Sequence, residues 1–350
     1  MVLPKGRIKK QQQRKIEIRM DDEHLMLLSK KQKTTPSYQP DILGADYQQM
    51  TLDFPSDYEG KVIATLVRKK AEQETRKAVL YIHGFIDYFF QTEMADQFNQ
   101  HGYDFYALDL RKYGRSHLSH QHWYNVRSLS EYDAEIAAAI EQIAAEEHDS
   151  VILAGHSTGG LITTLYVAHH PNHPLIRGLW CNSPFYDFNM SEIEKKSGIP
   201  RLSQLGKLLP EMKFPSRLNP FYVPSLHKQY HGEWLFNLEW KKPRYPKVRL
   251  SFVRAIHEAQ KEIHASVHLG VPTLIMHASQ SSYPRQWNEI AQRTDVILDV
   301  ADMQKYGHHM QGDIQLYQIE NGVHDLVLSA PEVRAEVYQS LFDWLNRKGL

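Results

Sequence analysis

From about residue 45 onward, short runs of β-branched or aromatic residues alternate with segments of helical periodicity. The runs at 47–54, 62–67, 78–82, 104–108, 151–154, 176–181, 273–277 and 314–318 predict eight strands. Between them, 130–147 places Ile136, Ile140 and Ile143 on one helical face, with Ser130 as N-cap and acidic residues in the first turn. A closing helix over 331–344 starts on Pro331 and carries Val333, Val337, Leu341 and Trp344 at helical spacing. Strands that alternate with helices read as parallel strands joined by right-handed crossovers, giving an open, doubly wound sheet with helices on both faces.

Two stretches break that rhythm. Residues 185–266 are rich in Pro, Lys and aromatics, lack strand-like runs and read as an insertion, so that the core comprises 41–184 and 267–350. Residues 1–40 crowd Lys5, Arg7, Lys9, Lys10, Arg14, Lys15 and Arg19 around Gln11-Gln12-Gln13. This is the pattern of a flexible basic arm. No aromatic residue interleaves its charges before Tyr38, which favours a solvated tail over a nucleic-acid or lipid anchor, and peripheral membrane contact stays open.

Composition narrows the function classes. Lys plus Arg equals Asp plus Glu at 41 each, so the overall field offers no reason to expect a nucleic-acid partner. The lone Cys181 excludes an intramolecular disulfide, and the N-terminus has no apolar run of signal-peptide type; a cytoplasmic protein is expected. No apolar stretch approaches the roughly 18–20 residues that span a bilayer.

The chemistry centres on Gly155-His156-Ser157-Thr158-Gly159, set between the buried run 151–154 and a helical pattern. A serine on a strained strand-to-helix turn is exposed as a nucleophile, and flanking glycines admit the close approach of strand and helix. The amide after the serine, at a helix N-terminus, favours a developing oxyanion. His83-Gly84-Phe85 closes the run 78–82, making the Phe85 and Thr158 amides the expected oxyanion donors and His83 a structural histidine. The base is expected in the loop after the last strand, Gly322-Val323-His324-Asp325, as His324. For the acid, the strand 273–277 is followed by Ala278-Ser-Gln-Ser-Ser282, which holds no carboxylate. Asp295, Asp299 and Asp302 remain; all precede His324, and Asp295 is preferred, with Asp299 second. The groups His117, His120 and His122, and His169, His170 and His173, lack the helical pair with a carboxylate or the cysteine that a metal site would show.

These residues resemble the α/β-hydrolase superfamily, and within it the serine-aminopeptidase-type group that includes lysophospholipases and monoacylglycerol lipases. The resemblance runs from about 45 to 348. It rests on His83-Gly84, on Asp109-Leu-Arg-Lys-Tyr-Gly-Arg-Ser116 as a counterpart of the group's D-x-R-G-x-G-x-S loop, on the elbow, and on His324 before the last helix. Lys112-Tyr113 departs from the usual Gly-His, and the segment of Asp295 and Asp299 is similar to the group's acid segment displaced by an insertion. The resemblance implies an α/β-hydrolase fold with an eight-stranded, mostly parallel sheet, and a helical cap over the pocket at 185–266. It further implies a serine hydrolase of carboxylic esters that needs no metal or organic cofactor, acting on a small-molecule or lipid-like substrate. Leu208, Leu209, Phe214, Phe221, Tyr222, Trp234, Phe236 and Trp240, with Phe85, Tyr88, Phe89 and Phe90, are candidates to line an acyl groove. Two rival readings are a proline-iminopeptidase-like enzyme, with Glu192, Glu194 or Glu211 holding a substrate amine, and a hydrolase fold kept as a non-catalytic binding protein.

Overall fold

The computed structural model of the protein describes residues 37–350. The basic arm lies outside them up to residue 36, and the fold takes in its last residues: β1 (Gln39–Asp41) pairs antiparallel with β2 (Gly44–Asp57). There follow β3 (Gly60–Lys69), β4 (Lys77–Ile82), α1 (Thr92–Gln100), β5 (Asp104–Asp109), α2 (Asp133–Ala145), β6 (Ser150–His156), α3 (Thr158–His169) and β7 (Ile176–Asn182). The segment 183–267 holds α4 (Ile199–Leu208), β8 (Lys213–Phe214), α5 (Tyr222–Leu226), β9 (Val248–Arg249) and α6 (Leu250–His264). The chain then closes with β10 (His268–Ala278), α7 (Val300–His309), β11 (Gln311–Ile319) and α8 (Pro331–Lys348).

Nine strands form one sheet in the order β1-β2-β3-β5-β4-β6-β7-β10-β11, parallel from β5 to β11 and antiparallel at the β1 edge. Each of the eight expected runs lies inside one of its strands; β1, only three residues long, is too short to show a period. The central strands are apolar throughout because both faces are covered. In β4, Val79 and Tyr81 enter the core beneath α1 and α8, while Ala78, Leu80 and Ile82 enter the one beneath α2, α3 and α6. Strand β2 is largely exposed, burying Tyr47 in one core and Met50 and Leu52 in the other.

Two expectations need correction. The helix foreseen over 130–147 begins as a 3₁₀ turn, Leu129–Tyr132, capped by Ser128 and not Ser130: the Ser128 hydroxyl accepts from the Ser130 amide and Glu131 reaches back to the Ser128 amide. The insertion foreseen over 185–266 is less separate than its composition suggests. Helix α6 packs Ala255, Ile256 and Ala259 into the core shared with α2 and α3, and the two-residue ladder of β8 and β9 lies within the segment.

The register brings the site together. Ile82 at the end of β4 sits opposite Gly155 near the end of β6, so the loop after β4 and the turn after β6 leave the sheet side by side. At the other end, Ala278 of β10 faces Ile319 of β11, and the two loops that follow them rise from the same level. Loops at the carboxyl ends of parallel strands are where such sheets bind ligands.

Candidate active site

Ser157 stands between β6 and α3 with φ 55° and ψ −117°, a conformation that costs a non-glycine residue about 1–3 kcal/mol. Its backbone is held on three sides: the Ser157 amide donates to Asn182 O at 3.0 Å, and its carbonyl accepts from Phe185 at 2.9 Å and Leu161 at 3.2 Å. The glycines explain themselves by contact. A Cβ on Gly155 would lie 2.4 Å from Gly159 O, and one on Gly159 would lie 2.3 Å from Ile82 O, so either would push helix from strand.

The loop after β11 delivers His324. Its Nε2 lies 3.0 Å from Ser157 Oγ and its Nδ1 2.7 Å from Asp295 Oδ2, and all three side chains are buried. With Nδ1 donating to the carboxylate, Nε2 is left to accept the serine proton. Asp295 reaches this place although no carboxylate follows β10 directly. The chain loops out through a 3₁₀ turn, Glu289–Gln292, and returns so that Asp295 pairs in parallel with Ser281. The Asp295 amide donates to Gln280 O, and Asp295 Oδ1 accepts from the Ile297 and Leu298 amides at 2.8 Å each, which aims Oδ2 at the imidazole. Asp299 instead caps α7 by accepting from the Ala301 amide at 3.0 Å. Asp302 pairs with Lys195 at 2.6 Å.

Phe85 and Thr158 both line the cavity around Ser157. A Cβ on Gly84 would lie 3.0 Å from Ser157 Cβ, so the backbone of the β4 loop runs directly alongside Ser157. His83 sets its direction: Nδ1 donates to Gly84 O at 2.8 Å while Nε2 accepts from the Leu110 amide at 3.1 Å. Because Gly84 C=O and Phe85 N–H belong to one trans peptide, holding the carbonyl back turns the N–H the opposite way. Burial lowers the His83 pKa, consistent with the neutral ring this double role needs. The loop 109–116 supports the same region. Asp109 accepts from the Phe89 amide and pairs with Arg115, and Lys112, at φ 65°, buries its ammonium between Asp57 at 2.6 Å and Glu59 at 2.8 Å.

Around these three side chains stand residues to which the sequence reading gave no role. Asp325 accepts from Asn182 Nδ2 at 2.7 Å and Gln91 Nε2 at 2.9 Å, fixing the residue after His324. His156, its ring centroid 4.8 Å from that of His324, is pushed down to about 4 by burial and so puts no charge beside His324 at neutral pH. The cavity at Ser157 is about 50 Å³ and adjoins an apolar one of about 110 Å³, the two sharing Phe85, Phe185, Leu218, Ile297 and Leu298. Of the aromatics expected in a groove, Phe85 lines both, Phe214 the apolar cavity and Tyr222 the one at Ser157. Phe89, Phe236 and Trp240 pack on other aromatics instead, and Leu208 and Leu209 are exposed. Nothing in the local sequence marks Leu218, or Leu298 three residues past Asp295, as a lining residue.

The histidine groups are engaged singly: His117 stacks on Trp123, His122 meets Glu59, His169 meets Glu262 and His170 bonds Tyr166 O. Among the described residues the one close group of possible metal ligands is Asp87, His156 and Asp325, where Lys241 already sits 2.8 Å from Asp87. Glu192, Glu194 and Glu211 pair with Lys196, Arg217 and Arg249, and none lines the cavity at Ser157. Among the described residues no helix is long and apolar enough to cross a membrane.

Comparison with solved structures shows the same fold in a soluble variant of monoglyceride lipase from Saccharomyces cerevisiae, held in complex with a substrate analog. The match has 18% identity over 91% of this chain and 96% of that one, with a TM-score of 0.61. A monoacylglycerol lipase from Paleococcus ferrophilus matches at 18% identity over 81% and 99%, TM-score 0.60. Est1E from Butyrivibrio proteoclasticus with bound ferulic acid matches at 17% over 85% and 98%, TM-score 0.53. No curated protein matches the sequence. Residues 73–331 match the family described as serine aminopeptidase, S33, and the chain therefore belongs to that family of α/β-hydrolases.

Proposed function

We propose that the protein is a serine esterase acting on lipid-like carboxylic esters, of the lysophospholipase or monoacylglycerol-lipase kind, through an acyl-enzyme on Ser157. The observation that carries this reading is the chain of contacts from Asp295 through His324 to Ser157, at a cavity that adjoins an apolar one. His324 Nε2 takes the Ser157 proton as Oγ attacks the ester carbonyl. The Phe85 and Thr158 amides receive the oxyanion; removal of one such donor typically lowers the rate on the order of a hundred- to a thousand-fold. His324 then protonates the leaving alcohol, activates water and returns the serine, while Asp295 holds the imidazole tautomer and stabilises the transient imidazolium.

An aminopeptidase needs an unpaired carboxylate near Ser157 to hold a substrate amine. The carboxylate that lines the cavity, Asp87, already faces Lys241, which favours an ester. The test is labelling with a fluorophosphonate probe, wild type against Ser157→Ala, followed by p-nitrophenyl esters and aminoacyl-naphthylamides. Labelling lost in the variant, with ester turnover, is the expected result. A folded wild type that does not label supports the non-catalytic reading, and turnover of naphthylamides alone supports the peptidase.

A further inference from the structure

The cavity at Ser157 has two unlike ends. Phe185, Leu218, Ile297 and Leu298 line it and the adjoining apolar cavity alike. Toward Asp87, Tyr222, Lys241 and Tyr245, none of which lines that apolar cavity, it is polar. His324 lies at the polar end as well, its ring meeting the edge of Tyr222 at 5.5 Å. The leaving oxygen must reach His324 to be protonated. The acyl chain therefore occupies the apolar end and the alcohol the polar one.

That polar end is incompletely satisfied. Lys241 and Asp87 are both buried, and Lys241 Nζ lies 2.8 Å from Asp87 Oδ1, yet neither Asp87 oxygen has a directed hydrogen bond. The buried hydroxyls of Tyr222 and Tyr245 have no partner either. Three side chains whose buried polar atoms lack hydrogen-bond partners, Asp87, Tyr222 and Tyr245, are a costly arrangement beside Ser157 for packing alone. A ligand that both donates and accepts hydrogen bonds would complete them: hydroxyls donating to Asp87 and accepting from Lys241 or the tyrosines. Charge decides between alcohols. Lys241 offsets Asp87 and the buried Asp325 carboxylate lies within 4.8 Å of Asp87, so a neutral polyol enters without disturbing the group, whereas a phosphate-bearing alcohol would bring its anion against two carboxylates in a water-poor site.

Resting on the esterase reading above, we propose that Asp87, Lys241, Tyr222 and Tyr245 form the leaving-group site, and that it selects esters of neutral polyols over phosphorylated or simple alcohols. Lys241 comes from the segment between β7 and β10, so the site is completed only when that segment is docked on the β4 loop, as the contacts of Phe236 with Phe90 and Trp240 with Tyr88 hold it here.

The experiment uses the full chain and three soluble butyrates: glyceryl monobutyrate, methyl butyrate and 1-butyryl-glycerol 3-phosphate. Wild type is expected to prefer the glyceryl ester in kcat/KM by on the order of ten-fold over both others, the gain of one or two hydrogen bonds. Lys241→Met alone would strand the Asp87 charge, so the diagnostic variant is the double change Asp87→Asn with Lys241→Met, which removes both charges. In it the glyceryl-to-methyl ratio of kcat/KM should fall toward one, the loss falling on the KM of the glyceryl ester. A merely structural pair would lower all esters together and leave the ratio unchanged, which overturns the proposal. So does a wild type that treats glyceryl and methyl esters alike or prefers the phosphate ester. A wild type that neither labels nor cleaves methyl butyrate overturns the esterase reading itself, and the two failures are thereby distinct.

Discussion

Replacing Asp295 with Asn tests which carboxylate serves the base and why. The Asn side chain can keep its oxygen on the Ile297 and Leu298 amides, the two 2.8 Å bonds that Asp295 Oδ1 accepts, so the loop and the melting temperature should change little. Its NH₂ group then faces His324 Nδ1, which lies 2.7 Å from Asp295 Oδ2 in the native chain. Facing a donor, Nδ1 must give up its proton, which moves to Nε2, and Nε2 can no longer accept from Ser157. The expected loss in kcat is on the order of ten-thousand-fold with KM nearly unchanged, the size known for this kind of tautomer change, or about 5 kcal/mol of transition-state stabilisation. Asp299→Asn is the control. Asn is as good an N-cap as Asp, so activity should stay within about two-fold. The assay is steady-state hydrolysis of p-nitrophenyl butyrate with thermal melting on the same preparations. Retention of more than about a tenth of kcat by the folded Asp295→Asn protein, or an equal loss in Asp299→Asn, would refute the reasoning.

Leu202 lines the apolar cavity of about 110 Å³, so Leu202→Trp should lower turnover of dodecanoyl esters about ten-fold relative to butyryl esters; an unchanged ratio would remove the acyl chain from that cavity. His156 titrates at about 4 in the folded chain against 6.5 when free, so between these values the unfolded chain binds a proton that the folded chain excludes. Stability is complete above 6.5, falls as the pH drops toward about 4 and then levels off, the single site contributing about 3 kcal/mol; His156→Leu should flatten that slope in urea melts, and an identical slope would contradict it. Ser128→Ala should cost about 1 kcal/mol by removing the cap of the Leu129–Tyr132 turn, while Ser130→Ala should be close to neutral; denaturation midpoints in the reverse order would restore Ser130 as the cap.

Local patterns carried much of this protein. A central parallel strand must be apolar on both faces, so 78–82, 151–154 and 176–181 could be read from the chain alone, and β1 could not, because three residues hold no period. Ser157 and its glycines were legible because the elbow is local: its requirements fall within six residues of sequence. His324 followed from its place after the last strand. The acid stayed open among Asp295, Asp299 and Asp302, since which one faces the imidazole depends on how far the chain loops out after β10 before Asp295 pairs with Ser281. The pattern pointed to Ser130 where Ser128 is the cap, since two serines two positions apart offer the same side chain and only the folded backbone decides between them. Asp87 and Lys241 lie 154 positions apart by subtraction and meet only because one segment docks on another loop. Periodicity and turn chemistry are properties of neighbours along the chain; the partner of a buried charge is a property of packing, and only the tertiary structure decides it.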